Sequence, residues 1–349
     1  MPKMTEAEFS KYFDENFRYK LEDLEQKRRK YAPIRKFFLY FSLLLFVLLA
    51  IAGFVNASST INGTVMAAIV VLLIVSFFVM GVIDSSFRKP LKSKVISRVI
   101  GLYGNLYLTP QKKLIKLSDI HKYGLFPRAT RKVDDDAIIG NYQNTNIIIS
   151  ECELEHTVQS GKNSHTVTDF AGLIVKLTMN KKFSGITVVG MNGDIKPPTG
   201  CENVELESVE FMKNRKVYST DQIEARYLLT PTFMERLDNL GKRFMGTIAQ
   251  NNTTEDTSGI DIQESMQRLK SSNSLIANVL TATLDRVLGV SAIFADGDIY
   301  LFIPLSFDFF EVSLDKSLLD SAQYYAIYMQ LNSILEIIEY FKLDQQLGL

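Results

Sequence analysis

The residues able to do chemistry in this chain are few, and most are acidic. His121, His156 and His165 are its three histidines, and Cys152 and Cys201 its two cysteines. Cys152 and His156 share one face of the alternating stretch IIISECELEH (Ile147–His156), with Glu151, Glu153 and Glu155 on the other. Their spacing matches no common zinc pattern, so neither a metal nor a cofactor is expected. Asp134-Asp135-Asp136 offers oxygen donors for a divalent cation, but such a run is ordinarily a solvated turn. Asp169, Asp221 and Glu224 are carboxylates suited to acid–base work, which requires two carboxyl groups whose environments drive their pKa values apart. Asp221, Glu224 and Arg226 also form a compact set of three charges, fit for the rim of a ligand or partner site. With Glu151 and Asp169 they make up the candidate site. No phosphate loop, GxGxxG turn, HExxH, CxxC or Gly-x-Ser-x-Gly elbow is present.

The elements that must position these residues read as follows. Thr5 with Glu8 is a capping box opening a helix to Tyr31. On it Phe9, Phe13, Phe17, Leu21 and Leu24 recur every three or four residues, a stripe expected to dock on protein. Pro33 should break or kink the chain. Pro90 to Gly104 reads as a basic amphipathic helix with Leu91, Val95, Val99 and Leu102 on one face. From residue 134 the period becomes two. Ile147–His156 and Thr166–Met179 form a hairpin, and Ile186–Val189, Val204–Phe211 and Lys216–Ser219 add short strands. Asp221 and Glu224 cap a helix as a box, and Arg226 pairs with Glu224 or a strand carboxylate. Tyr227, Leu228, Phe233, Met234 and Leu237 read as core. Thr230-Pro231 restarts a helix that Gly241 closes. Asn251–Gly259 is a linker and Gln263–Leu288 a long amphipathic helical insertion. Ala295-Asp-Gly-Asp298 turns a hairpin spanning Val290–Leu305, and Leu318–Phe341 is a last helix. The fold class is therefore α+β, with an antiparallel sheet and packed helices behind an N-terminal two-helix hairpin.

That hairpin emerges from the charge. The chain has 349 residues, 39 Lys+Arg and 39 Asp+Glu, yet residues 37–83 carry none of them. Residues 1–36 are net +3, 84–133 net +10 and 134–349 net −13. Phe37–Val55 and Val65–Ile83 are apolar runs, each near the roughly 20 residues that cross a bilayer as a helix. The first begins too far along for a signal peptide. Lys27–Lys30, Arg35 and Lys36 precede the pair, Arg88, Lys89, Lys92, Lys94 and Arg98 follow it, and the loop between has no Lys or Arg. By the positive-inside rule both termini are cytoplasmic, which in a bacterium means the inner membrane, and both cysteines are free thiols in a reducing compartment. The basic residues after the second span can attract anionic lipid. The acidic distal part argues against nucleic acid. The domains expected are thus 1–36, a cytoplasmic amphipathic helix; 37–83, the membrane hairpin; 84–133, a basic juxtamembrane helix and connector; and 134–349, a cytoplasmic α+β domain carrying the insertion 263–288.

Several segments resemble a bacterial membrane protein family of unknown function, Domain of Unknown Function 3137. They are Asp135-Asp136 with Gly140 and Tyr142, Ser150-Glu151, Asp169–Leu173, the long run Val217–Leu237, Ala295-Asp-Gly297 and Phe310-Glu311. The resemblance spans roughly residues 35 to 341 and implies paired spans with a cytoplasmic domain; it implies no reaction. The leading functional expectation is a membrane-anchored domain that binds a protein partner or forms a homo-oligomer as a scaffold or regulator. A carboxylate-dependent hydrolase or transferase is the alternative. A small channel or transporter subunit is the third, disfavoured because the spans hold Ser42 and Ser76 but no ionisable group.

Overall fold

The computed structural model describes residues 4–56, 63–111, 113–161, 163–179, 183–252, 289–305 and 309–346. The expected insertion 263–288 and most of the linker before it lie outside them. The chain divides into two compact units. One comprises Pro2–Val99 with Glu311–Tyr325, the other Ile100–Phe310 with Ala326–Leu349.

In the first unit, Thr5 accepts from the Glu8 amide (3.3 Å) while Glu8 accepts from the Thr5 amide (2.8 Å), so the expected capping box opens α1 (Glu6–Asn16). The helix is interrupted at Phe17, and α2 then runs unbroken over Arg18–Asn56. Of the break or kink expected at Pro33, the break is corrected: the proline sits inside α2. Phe9, Phe13, Phe17, Leu21 and Leu24 are all buried. Phe13 stacks on Tyr324 at 4.9 Å and Phe9 meets Tyr325 at 5.4 Å, so the stripe packs on protein of its own unit. α3 (Gly63–Leu91) carries the second apolar run, and a π turn (Lys92–Ile96) joins it to α4 (Ser97–Gly101). Instead of starting a separate helix, Pro90 lies within the last turn of α3. Leu91, Val95, Ile96 and Val99 are buried. α2 and α3 pack on a narrow seam that buries Leu45, Ala52 and Leu73, and Ser76 donates to the Phe38 carbonyl at 2.9 Å. Their outer faces are exposed and apolar: Tyr40 is 66% and Phe78 71% accessible. Among the described residues, two helices are thus long and apolar enough to span a membrane.

Among the described residues the second unit is built on nine strands: β1 (Asn105–Thr109), β2 (Arg131–Tyr142), β3 (Thr145–Ser160), β4 (Asn163–Thr178), β5 (Thr187–Met191), β6 (Glu202–Asn203), β7 (Arg215–Ser219), β8 (Ser291–Ala295) and β9 (Asp298–Pro304). They form one antiparallel sheet in the order β1-β2-β3-β4-β9-β8-β5-β7-β6. The expected hairpins β3–β4 and β8–β9 are both present. Asp296 (φ 54°) and Gly297 (φ 84°) take the two positive φ angles that a type I′ turn needs. The central strands β5 and β8 are buried along their whole length, as strands covered on both faces must be.

The helices of this unit are α5 (Leu117–Lys122), α6 (Val209–Met212), α7 (Gln222–Leu228), α8 (Pro231–Asn252) and most of α9 (Ser321–Gln346). On one side of the sheet, Phe126, Phe170, Ile174, Ile293 and Phe302 share a core with the segment Ile115–Ala129. Phe233 of α8 packs on Phe294 of β8 at 5.8 Å.

Three expectations need correcting here. Val204–Phe211 is not a strand: only Glu202–Asn203 pairs, and Ser208 caps the one-turn α6. Gly241 does not close its helix, because α8 continues to Asn252. The run Asp134–Asp136 is not a solvated turn. It lies in β2 at a bulge between Asp134 and Ala137, with Asp134 ion-paired to Lys132 and accepting from Ser150.

Candidate functional site

Among the described residues, a cleft of about 500 Å³ in the second unit brings buried carboxylates and apolar side chains together. Its geometry begins with where strand β9 stops. β9 pairs with β4 only from Gly172, opposite Pro304, to Thr178. β4 itself starts nine residues earlier, at Asn163. The cleft is lined by Val167–Ala171 of β4 together with Met191, Ser291, Phe302, Pro304 and Leu305, and Leu305 donates to the Ala171 carbonyl at 2.9 Å.

A β-bulge aims the key carboxylate. Leu154 lies opposite Phe170 and Glu155 opposite Thr168, so Asp169 is the extra residue on β4. Bulges re-aim side chains in this way. The Asp169 carboxylate is 3% accessible. It meets His156 Nδ1 at 2.7 Å and an Arg128 terminal nitrogen at 3.3 Å. The same Arg128 nitrogen lies 3.6 Å from Asp194, whose side chain is also buried.

Arg128 reaches this point because the loop before it is laid along another loop. Gly124 takes φ +78°, and a Cβ there would lie 1.9 Å from the Lys196 carbonyl, so only glycine permits the close approach. Lys196 and Gly124 then bond through their backbones, Phe126 donates to the Asp194 carbonyl, and Thr130 donates to the Glu155 carbonyl. Each contact joins residues far apart in sequence.

The other sequence candidates are elsewhere. Asp221 caps α7, accepting from the Ile223 and Glu224 amides at 2.9 and 3.0 Å. The reciprocal half of the expected box is not made, because the Glu224 carboxylate clasps the Ser184 and Gly185 amides instead, both at 2.8 Å. The Asp221 amide is taken by Ser219. Among the described residues Arg226 pairs with no carboxylate; it donates to the Gln222 carbonyl and side chain. Asp221 and Glu224 thus serve the Thr187 end of β5, where Thr220 bonds Ile186. Asp169 faces the Met191 end, about 13 Å along a five-residue strand. Asp169 is therefore not partnered with Asp221 or Glu224.

Glu151, also a candidate for the ligand or partner site, is buried and accepts from the Phe309 amide at 2.8 Å. Asp135, Asp136 and Glu151 offer oxygens within 4.8 Å of one another, the reach of a hard-cation site and nothing more.

Cys152 packs in the core beside Leu154, and burial pushes its thiol up to about 12, which makes it inert. Among the juxtamembrane basic residues, Arg88 and Lys92 approach Glu311 at 2.9 and 3.9 Å, and Lys94 the Lys20 carbonyl at 3.5 Å. Lys89 and Arg98 are exposed.

Sequence reasoning missed Arg128 and Asp194 at the cleft, and Glu25 in the first unit. Glu25 carried a local signal: Arg28 and Arg29 stand three and four residues on, the helical spacing for ion pairs.

An α+β sheet unit in a chain that also holds two apolar helices long enough to cross a membrane defines the class of protein. The chain belongs to the family described as "Protein of unknown function (DUF3137)", whose model matches residues 168–252 and 272–343. No curated protein matches it. Among solved structures, the mycobacterial trehalose monomycolate transport factor A is similar over 70% of this chain and 92% of its own, at 10% identity and a TM-score of 0.31. A likeness that low carries no argument.

Proposed function

We propose that this chain is anchored in a membrane by Phe37–Val55 and Val65–Ile83, with both termini cytoplasmic, and that its sheet unit works there as a partner-binding or scaffold module. One observation carries the anchoring: the large exposed apolar side chains are concentrated on α2 and α3 between Phe37 and Val82. A soluble unit does not leave so wide an apolar surface in water, whereas lipid solvates it. The basic residues flanking both runs, and their absence between them, support the orientation. The partner-binding half is supported by a cleft that pairs buried carboxylates with apolar walls and matches none of the catalytic signatures sought in the sequence.

Membrane fractionation tests the anchor. The chain should stay with carbonate-washed membranes and be released when residues 37–83 are deleted; release of the intact chain would refute it. Reporter fusions at either terminus should read as cytoplasmic, and an external reading at one of them would overturn the orientation. In-cell crosslinking with mass spectrometry tests the module, and recovery of the uncrosslinked monomer alone would count against it.

A further inference from the structure

We propose that the charged ends of α2 and α3 bind the phosphate of anionic lipid headgroups, and that this phosphate displaces Glu311 and Asp315 from the cations there and so loosens the start of the segment Glu311–Tyr325. This rests on the membrane-anchored reading and gives it a ligand and a response to that ligand.

The place comes from the sequence. Arg35 stands two residues before the apolar run Phe37–Val55, and Arg88 five residues after Val65–Ile83. At about 1.5 Å per helical residue, Arg88 lies about 8 Å beyond its run. The polar layer of a bilayer is about 5–8 Å deep on each side. Arg and Lys side chains reach back toward such a layer while their stems pack on the helix, which brings Lys92 into range as well. Guanidinium groups hold phosphate through two parallel hydrogen bonds, so Arg35 and Arg88 suit this ligand.

The competitor comes from the structure. Arg35 bridges Asp84 and Asp315 at 2.9 and 2.7 Å, and Arg88 and Lys92 approach Glu311 at 2.9 and 3.9 Å. All of these residues belong to the first unit. The pairs are open to solvent: Arg88 is 49% and Asp315 51% accessible. Ion pairs that exposed are weak, and the pull of an anionic leaflet on a basic residue is of the same order. A headgroup phosphate can therefore take the place of either carboxylate.

The response comes from how the segment is fastened. The Leu314 carbonyl accepts from Arg28 at 3.1 Å, the Leu318 amide donates to Glu25 at 2.9 Å, and Tyr324 stacks on Phe13. Ahead of Leu314, Glu311 is fastened by its ion pairs and Ser313 by its amide, which donates to Gln323 at 2.9 Å. Exchange at Glu311 and Asp315 thus loosens Glu311–Ser313 and leaves Leu318–Tyr325 in place. Glu311 follows directly on Phe310 of the second unit, so the loosened residues are part of the chain's own link between the two.

The test uses the full chain in nanodiscs of phosphatidylcholine, alone or mixed with phosphatidylglycerol, read by hydrogen exchange. Phosphatidylglycerol should lower the protection of the Ser313 amide by about tenfold, the scale of moving two cations to headgroups. It should leave the Leu318 amide unchanged. Soluble glycerol phosphate added to the phosphatidylcholine discs should have no such effect. In Glu311→Gln with Asp315→Asn, Ser313 should be poorly protected in both lipids, while Leu318 stays protected and shows that the variant is folded. Equal protection of Ser313 in the two lipids overturns the proposal, whatever the variant does. An equal effect of the soluble phosphate, a matching loss at Leu318 or a full lipid effect in the folded variant overturns it too. A chain that enters the discs but ignores lipid charge leaves the anchor standing and removes only this site, whereas a chain that fails to enter them refutes both.

Discussion

Glu25 offers the sharpest test of the physical reasoning. Its side chain is 3% accessible and sits at the centre of the first unit's ion-pair cluster. It accepts two bonds from Arg28 at 2.8 Å, one from Arg29 at 3.1 Å, and one from the Leu318 amide at 2.9 Å. The Arg28 pair is the largest cause that pulls its carboxyl from the ordinary 4.5 down to about 2, against burial, with Leu318 and Arg29 adding to the effect. The difference corresponds to about 3 kcal/mol in favour of the ionised folded form. Because the folded value lies below the unfolded one, this stability is present above about 4.5 and is lost as pH falls toward 2. Glu25→Gln keeps an oxygen for Leu318 but sets an amide donor against the partly buried Arg28 guanidinium. Breaking a buried pair by removing one partner costs about 3–5 kcal/mol, in agreement with the first figure. Hydrogen exchange read on Glu311–Tyr325 is the assay, because the segment is held through the Leu318 amide. Its protection should fall by about a hundredfold or more in the variant. The wild type should lose protection on acidification below about 4.5, and the variant should lack that step. A change under about threefold at neutral pH would refute the reasoning, as would an unaltered acid profile.

Other consequences are more local. Gly172→Ala places a Cβ 2.1 Å from the Ile303 carbonyl at φ +152°, so it should cost about 2–3 kcal/mol or more in thermal or denaturant unfolding. Cys152, buried with its thiol pushed up to about 12, should resist maleimide until the protein unfolds, whereas the partly exposed Cys201 should label in the native state. Ser76→Val removes the bond to the Phe38 carbonyl and should weaken α2–α3 association by about 1 kcal/mol in a detergent-unfolding assay. Lys89→Gln with Arg98→Gln should lower enrichment of a labelled anionic lipid around the reconstituted protein more than Lys92→Gln with Lys94→Gln. Equal effects would contradict the placement of those side chains.

What was legible in the sequence was whatever local chemistry enforces. The Thr5–Glu8 box, the aromatic stripe from Phe9 to Phe17, the Asp296-Gly297 turn and the Thr230-Pro231 restart each depend on residues within one or two turns of chain. Elements fixed by distant partners were misread. Glu224 looked like a capping-box residue because nothing nearby reveals Ser184 and Gly185, some forty positions earlier in the chain. The aspartate run looked solvated because Ser150 reaches Asp134 only once β2 and β3 pair. The cleft stayed hidden for the same reason. Asp169 could be picked out alone, but Arg128 joins it through backbone contacts from Gly124 to Lys196 and from Thr130 to Glu155. The breaks expected at proline and glycine are not made where context overrides them: Pro33 stays inside α2, and Gly241 inside α8.

The segregated charge takes on a second role in the structure. Read linearly, the basic residues around the spans orient the hairpin and face lipid, while the acidic excess sits in the distal part. In the first unit some of that acid returns to the basic band. Arg35 bridges Asp84 and Asp315 at 2.9 and 2.7 Å, and Arg88 and Lys92 meet Glu311. Exposed pairs in water contribute about 0–1 kcal/mol each. These are partly shielded and stand at the ends of apolar helices, where a lower effective dielectric strengthens them. Positive charge engaged in this way is less available to headgroups. At about 1 kcal/mol per basic residue, five of them after the second span would hold anionic lipid by about 5 kcal/mol. With Arg88 and Lys92 turned to Glu311 and Lys94 to a carbonyl, Lys89 and Arg98 supply about 2. The cations proposed to set orientation thereby also fasten Glu311 and Asp315 to the apolar helices, and Glu311→Gln, which releases Arg88 and Lys92, should raise lipid enrichment rather than lower it.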